Sequence, residues 1–375
     1  MYNKKNKIDY LLLTIIIILA IISLISINSA EEILGDKSLN YTLKQSIWFI
    51  IGFILIIFLK KIKNEKILKS IQYLYIGGII SLILLLIFGK PINNAKCWFE
   101  IPFLGTFQPS EFMKIILILT LSTLIDDFRS KNPFPTITQE FLFLLKIGII
   151  VGIPSILTFL QPDTGVVLIY LLITFIMLFV SGIRYRWFLI LFIILGLSIG
   201  SVLLIYFLDT DLFIKIFGTS FFLRVDRLLD WSNNSGYQLE NGMTAIGSAG
   251  LLGYGLNNTP IYFPEPQTDF IFAVYSSNFG FIGSIILISI ITFFDIRLIK
   301  LAIESPNNIN KYVISGIIGM LIYQQFQNIG MTLGIMPITG ITLPFISYGG
   351  SSLLSYMIMA GIILNISNEN LKYRN

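Results

Sequence analysis

The chain has 375 residues, 55% hydrophobic and 13% charged, with a net charge of +5 and a mean hydropathy of +0.82. A soluble globular protein carries roughly 25% charged residues, so this composition excludes one and points to an all-α integral membrane protein with one membrane domain over residues 1–375. With no histidine and the single cysteine Cys97, the chain cannot build a Ser-His-Asp or Cys-His pair, a Cys/His zinc site or an internal disulfide, which leaves acid–base work to Asp, Glu, Lys or Tyr.

A membrane-crossing helix takes about 20 mostly apolar residues, and ten segments of roughly that kind follow one another: 10–27, 43–59, 71–89, 111–125, 141–160, 164–182, 187–207, 269–294, 311–333 and 349–366. The first is long for a signal-peptide apolar region and lacks a convincing cleavage site, so it reads as a retained helix. Lys4, Lys5 and Lys7 precede it. Lys60, Lys61, Lys63, Lys66 and Lys69 crowd the second connection, Arg129 and Lys131 the fourth, Arg184 and Arg186 the sixth, and Arg297 and Lys300 the eighth. Lys372 and Arg374 close the chain. Ten spans put all of these on one side, and the Lys/Arg-rich side is cytoplasmic, so both termini are expected there. Short clusters between apolar runs are topology signals and not a nucleic-acid surface.

The seventh connection, about residues 208–268, is then extracytoplasmic. It is Gly-rich yet apolar ("SGYQLENGMTAIGSAGLLGYG"), which predicts short helices at the membrane surface and not disorder. The third connection ("GKPINNAKCWFEIPFLGTFQPSEFMK") and the ninth ("GIMPITGITLPFISYGGSS") face the same side and are rich in Pro, Gly and aromatics. Non-helical backbone at membrane depth must be buried in protein or line a cavity.

Charges beside the apolar runs are the candidate functional groups. Asp269 opens the eighth run, where an acid either caps its helix or has work to do. Glu111 and Lys114, three apart, share a helix face as an ion pair that hides two charges from lipid and is compatible with lining a cavity. Asp163 follows Pro162 and can cap the sixth helix. Trp98 suits an interfacial anchor. Ser347, Gly349, Gly350 and Ser351 suit either a tight turn whose N–H groups meet a ligand or close helix packing.

Five stretches carry a resemblance: "FQPSEFMK" (107–114), "QPDTGVVLIY" (161–170), "GYQLENGMTAIGSAGLLGYGL" (236–256), "PEPQTDFIFAV" (264–274) and "NIGMTLGIMPITGITLPFISYGGSSLL" (328–354). In this order they resemble the SEDS family (shape, elongation, division, sporulation), which includes RodA and FtsW, with "NIGMTLGIMPITG" and the short termini closer to RodA. The resemblance implies a peptidoglycan glycosyltransferase of the bacterial cytoplasmic membrane. It would polymerise lipid II on the outer face, release undecaprenyl pyrophosphate, and serve elongation or division. Asp269 matches the family's catalytic acid, Asp163 a further acid, and Trp98 lies near a Trp that matters for activity. The reaction needs a base for the acceptor hydroxyl and positive charge for the departing pyrophosphate, which makes Arg224, Arg227, Lys114 and the less suited Lys96 the candidate cations. The family also implies a class B penicillin-binding protein as partner, membrane lipids around the chain, and a divalent cation (Mg or Mn), with no organic cofactor and no nucleic acid.

The sequence departs from the family pattern at four places. Gln267 replaces a His, Ser276-Ser277-Asn278 replaces Gly-Glu-Glu, Tyr254 replaces a Lys, and "LDW" at 229–231 replaces "LDP". These changes are expected to remove charge near the site. The loss of the pair of acids keeps a non-catalytic scaffold for the penicillin-binding protein in view, and the resemblance itself keeps a lipid II flippase as a second alternative. The intramembrane charges Glu111, Lys114, Asp163 and Asp269 sit toward one side, with Lys146 alone toward the other, which favours surface chemistry over a transmembrane path.

Overall fold

The computed structural model describes residues 9–35, 40–89, 96–101, 105–219, 221–222, 225 and 236–373. The protein is an all-α membrane protein. Among the described residues, seven helices are long and apolar enough to cross a membrane: α1 (Tyr10–Leu34), α2 (Tyr41–Lys61), α4 (Ile71–Phe88), α6 (Ile137–Leu160), α8 (Tyr185–Leu208), α11 (Ile271–Glu304) and α13 (Gly350–Tyr373). The remaining expected spans also lie on helices, namely α5 (Pro109–Lys131), α7 (Thr164–Val180) and α12 (Asn308–Thr332). α7 is short, at 17 residues, and α5 and α12 carry polar residues because they face the interior of the bundle. α5 buries Ser110, Glu111 and Lys114, and α12 buries Gln324, Gln325, Gln327 and Asn328. Polar side chains in a membrane bundle face protein and not lipid.

Packing follows the small residues. A Cβ on Gly52 of α2 would run into Met357 of α13, and one on Gly361 would meet Leu59, so α2 and α13 approach closely along their length. α13 is buried around nearly its whole circumference, whereas α8 buries only Phe188. The short helices α3 (Asn64–Lys69), α9 (Thr210–Phe217) and α10 (Tyr237–Ser248) lie between the long ones, and the last two fall in the seventh connection, as expected. The third connection contains a feature the apolar pattern did not predict. Strands β1 (Phe99–Ile101) and β2 (Gly105–Phe107) pair antiparallel, with Glu100 opposite Thr106.

A second unpredicted feature sits in α11. The helix breaks at Gly280, where φ is 66° and ψ −161°. The break frees backbone groups that must find partners in an apolar setting. The loop after α10 supplies them from both sides. Tyr254 and Gly255 donate their N–H groups to the carbonyls of Ser277 and Asn278 at 2.9 and 3.0 Å, while Phe281 and Ile282 donate to the carbonyls of Gly250 and Leu251 at 3.0 and 3.1 Å. Only glycine fits at Gly280, because a Cβ there would strike the backbone of Gly253 and Leu251. α11 also continues to Glu304, ten residues past the apolar run, since Asp295, Arg297 and Lys300 extend the helix without ending it.

Candidate functional site

The N-termini of α5, α7, α11 and α13 open onto one cavity of about 500 Å³. The third connection and the segment before α13 close its sides, with Trp98, Thr106 and Thr339 to Thr342 on the wall. Of the residues singled out in the sequence, Trp98, Glu111, Asp163, Asp269, Gly349, Gly350 and Ser351 line it. Lys114 stands just behind the wall. It is fully buried, 2.8 Å from Glu111 Oε2, with its ammonium 5.5 Å from the centre of the Tyr356 ring. Ser347 does not line the cavity. Its hydroxyl donates to the Thr268 carbonyl at 2.7 Å and accepts the Leu343 N–H at 2.8 Å, so it braces the turn that carries Asp269. Lys96 is exposed and off the wall, Lys146 lies on the exposed face of α6, and Arg224 and Arg227 lie outside the described residues.

Four carboxylates face this space: Glu111, Asp163, Glu265 and Asp269. Three are engaged. Glu111 pairs with Lys114. Asp163 caps α7, accepting the Val166 N–H at 3.1 Å, and accepts the Gln108 amide at 2.9 Å. Glu265 accepts from the Thr268 hydroxyl at 2.9 Å and from the Gln267 amide at 3.2 Å. Asp269 differs. Among the described residues its carboxylate accepts no hydrogen bond and forms no ion pair, and the capping position of α11 is Phe270, which makes no side-chain cap. Burial pushes the Asp269 carboxyl up to about 7, with the neighbouring Glu265 adding to the rise. Burial also pushes Asp163 up, to about 6, against the Val166 hydrogen bond that lowers it.

The backbone around Asp269 is held from two sides. Tyr348 N–H donates to the Gln267 carbonyl at 2.8 Å, next to the Ser347 bond to Thr268. Gln45 of α2 in turn fixes the turn before α13, donating to the Ser347 carbonyl at 3.2 Å and accepting the Gly349 N–H at 3.3 Å. Ser351 accepts the Gln108 N–H at 2.9 Å and donates to the Thr106 carbonyl at 3.2 Å, tying α13 to β2. Gln45, Gln108, Gln324 and Asn328 went unnoticed in the sequence. One signal was present: "QQFQN" places four amides in the middle of an apolar run.

Of the departures from the family pattern, Gln267 lies beside the site, where its amide donates to Glu265, and two others sit elsewhere than expected. Ser276, Ser277 and Asn278 do not line the cavity. They are buried at the α11 break, where Ser277 and Asn278 take their backbone partners from Tyr254 and Gly255. Two of the departures, Tyr254 and Ser277, are thus direct neighbours, and the charge they lose is lost from the break and not from the cavity wall. Residues 229–231 lie outside the described residues.

The family described as "FTSW_RODA_SPOVE: Cell cycle protein" matches residues 7–372 of this chain. The probable peptidoglycan glycosyltransferase FtsW of Coxiella burnetii is 33% identical over 93% of this chain and 93% of its own length. Among solved structures, a chain of a peptidoglycan synthase complex that coordinates polymerization and crosslinking superposes with a TM-score of 0.79 at 25% identity, covering 97% of this chain and 98% of that one. The rod shape determining protein RodA of Thermus thermophilus superposes with a TM-score of 0.69 at 25% identity over the same shares. This chain therefore belongs to the FtsW/RodA/SpoVE family, the SEDS proteins that cross the bacterial cytoplasmic membrane several times.

Proposed function

We propose that the cavity is where this peptidoglycan glycosyltransferase polymerises lipid II, with Asp269 as the general base. The observation that carries the reading is the state of the four wall carboxylates: Glu111, Asp163 and Glu265 already have partners, and Asp269 has none among the described residues. A group that must take a proton needs a free oxygen facing the substrate. In the proposed step an acceptor sugar hydroxyl attacks the anomeric carbon of the donor. The new C–O bond forms as the bond to the lipid pyrophosphate breaks, the hydroxyl proton passes to the Asp269 carboxylate, and the pyrophosphate leaves with the bonding pair.

The leaving group is an anion, and the described wall is acidic. Four helix N-termini direct backbone dipoles into the cavity and offset part of that charge. Lys114 is already committed to Glu111. Among the described residues no group of three Asp, Glu, Cys or His side chains converges as a metal cage. Magnesium needs only one or two protein carboxylates when substrate phosphates supply the remaining oxygens, and the neighbours Asp269 and Glu265 would be that pair. Such an ion would supply positive charge for the departing pyrophosphate; Arg224 and Arg227 are the protein's own candidates for the same task. The partner is a class B penicillin-binding protein that crosslinks the growing strand.

The test is polymerisation by the purified protein supplied with lipid II, alone and with its penicillin-binding protein. Glycan strands are expected, resolved by gel electrophoresis after lipid release. If neither preparation makes strands, the reading fails in favour of a scaffold. Lipid II crossing a vesicle membrane without polymerising would favour a flippase.

A further inference from the structure

We infer that Asn328 is a positioning residue for Asp269: its one amide nitrogen ties the turn carrying the carboxylate to the opposite wall of the cavity, and it acts on turnover through that placement. The inference rests on the reading of Asp269 as the general base. Asn328 lies in α12 and is fully buried. Its Nδ2 donates twice, to the Asp269 carbonyl at 2.9 Å and to the Ile341 carbonyl at 2.8 Å. The two acceptors stand on the two segments that must keep a fixed spacing around the carboxylate. Asp269 leads into α11, and Thr339 to Thr342 form the facing wall. Gly340 shows how close that spacing is, since a Cβ built there would stand 3.5 Å from Asp269 Oδ2.

One further amide shares the helix face, Gln324 at i−4 of Asn328, and a second, Gln327, precedes Asn328 directly. Gln327 donates to the Pro337 carbonyl at 2.7 Å, and Gln324 donates to the Tyr356 hydroxyl at 2.9 Å. Gln327 thus holds the segment leading into the wall and Gln324 holds α13, and neither reaches Asp269. Among the described residues, only Asn328 hydrogen-bonds both this wall and Asp269. It does so at a cost: its Oδ1 is buried and without a hydrogen-bond partner among the described residues. A buried unsatisfied acceptor is unfavourable, and an apolar residue of the same size would avoid it. Keeping the amide is explained by the two donors on its other end.

The test compares Asn328→Leu, which keeps the volume and removes both donors, with Asn328→Ser, which keeps one donor on a smaller side chain. Misplacement of a catalytic group by about 1 Å costs on the order of a hundredfold in rate. In the lipid II polymerisation assay, kcat of Asn328→Leu is expected to fall by about tenfold or more, with KM within about twofold of wild type and Asn328→Ser in between. The decisive arm is the double variant. A residue acting through Asp269 has nothing left to position in Asp269→Asn, so adding Asn328→Leu should lower the residual rate by less than about twofold. A general packing defect would multiply the two losses. If Asn328→Leu does not fold, Asn328→Ser alone and combined with Asp269→Asn carries the same comparison. The inference is overturned if the folded single variants keep wild-type kcat, if KM rises while kcat holds, or if the double variant shows multiplied losses. A fully active Asp269→Asn would instead sink the general-base reading, and this inference with it. An inactive Asp269→Asn beside normal Asn328 variants would sink this inference alone.

Discussion

Asp9 and Asp269 stand at equivalent places, each just ahead of a long apolar helix, and the structure treats them in opposite ways. Asp9 caps α1 by accepting the Leu12 N–H at 3.2 Å, and its other oxygen accepts from Arg297 at 2.7 Å and Ser367 at 2.8 Å. One acid thereby ties the start of α1 to α11 and α13. Asp269 caps nothing and pairs with nothing among the described residues. Burial would push both carboxyls up. At Asp9 the hydrogen bonds from Ser367 and Arg297 more than reverse that and hold it below the usual range, while at Asp269 burial and Glu265 carry it to about 7. The same residue type before the same kind of element is a fastener in one place and an available proton acceptor in the other. Long-range partners make the difference.

The largest effect that would sharpen this contrast is on turnover. Asp269→Glu keeps the charge and moves it by a methylene, so lipid II polymerisation should fall about a hundredfold while the thermal midpoint in detergent stays near wild type. Wild-type turnover would make the carboxylate's position unimportant. The next effect is on stability. Arg297→Ala leaves Asp9 buried without its cation and should cost about 2 kcal/mol in unfolding, with catalysis per folded molecule unchanged. Ser367→Ala removes one hydrogen bond to the same carboxylate and should cost about 1 kcal/mol in the same measurement. A loss of turnover without loss of stability in either variant would erase the distinction between the two acids.

The smallest effect is on how stability varies with pH, and the two acids should have opposite signs. Asp9 lies below its unfolded value of 3.8, so its contribution is present above that pH and is lost as pH falls through the lower folded value. Asp269 is raised from 3.8 to about 7, so the folded state holds a proton that the unfolded chain has released, and stability falls as pH rises through that interval. Unfolding midpoints recorded against pH should show Asp9→Asn flattening the acid limb and Asp269→Asn flattening the decline from about 4 to about 7. Identical profiles for the two variants would contradict the assignment.

Much of the helical framework was legible because lipid imposes one rule: a run of apolar residues long enough to cross must be a helix. That rule covers α1, α2, α4 and α8 directly. It works less well for α5 and α12, whose polar residues face the interior, although the motifs around Glu111 and Asn328 marked them as unusual. It cannot reveal the break at Gly280, since "NFGFIGS" reads like any Gly-containing apolar helix and the partners of the freed backbone lie in residues 250–255. The antiparallel pair β1 and β2 was hidden because its strands are three residues each. At the site, Asp269, Asp163, Glu111 and Trp98 were legible as charges or an aromatic out of keeping with their surroundings. Ser347 was read as a ligand-binding candidate and proves to be a brace, because a hydroxyl in a tight turn looks alike in either role. The "QQFQN" stretch marked Asn328 as an amide in an apolar run but not its role, and Gln45 carried no mark, because their partners are backbone carbonyls and N–H groups.

The central claim is that Asp269 takes the proton from the acceptor hydroxyl, and the most direct measurement is lipid II polymerisation by Asp269→Asn beside wild type, each with the penicillin-binding protein. Asn keeps the size and shape and cannot accept the proton at neutral pH. General-base catalysis contributes about 10²–10⁴-fold, so the variant should fold, bind its partner and polymerise at least about a hundredfold more slowly. Polymerisation by Asp269→Asn at near wild-type rate would place the base elsewhere and contradict the account.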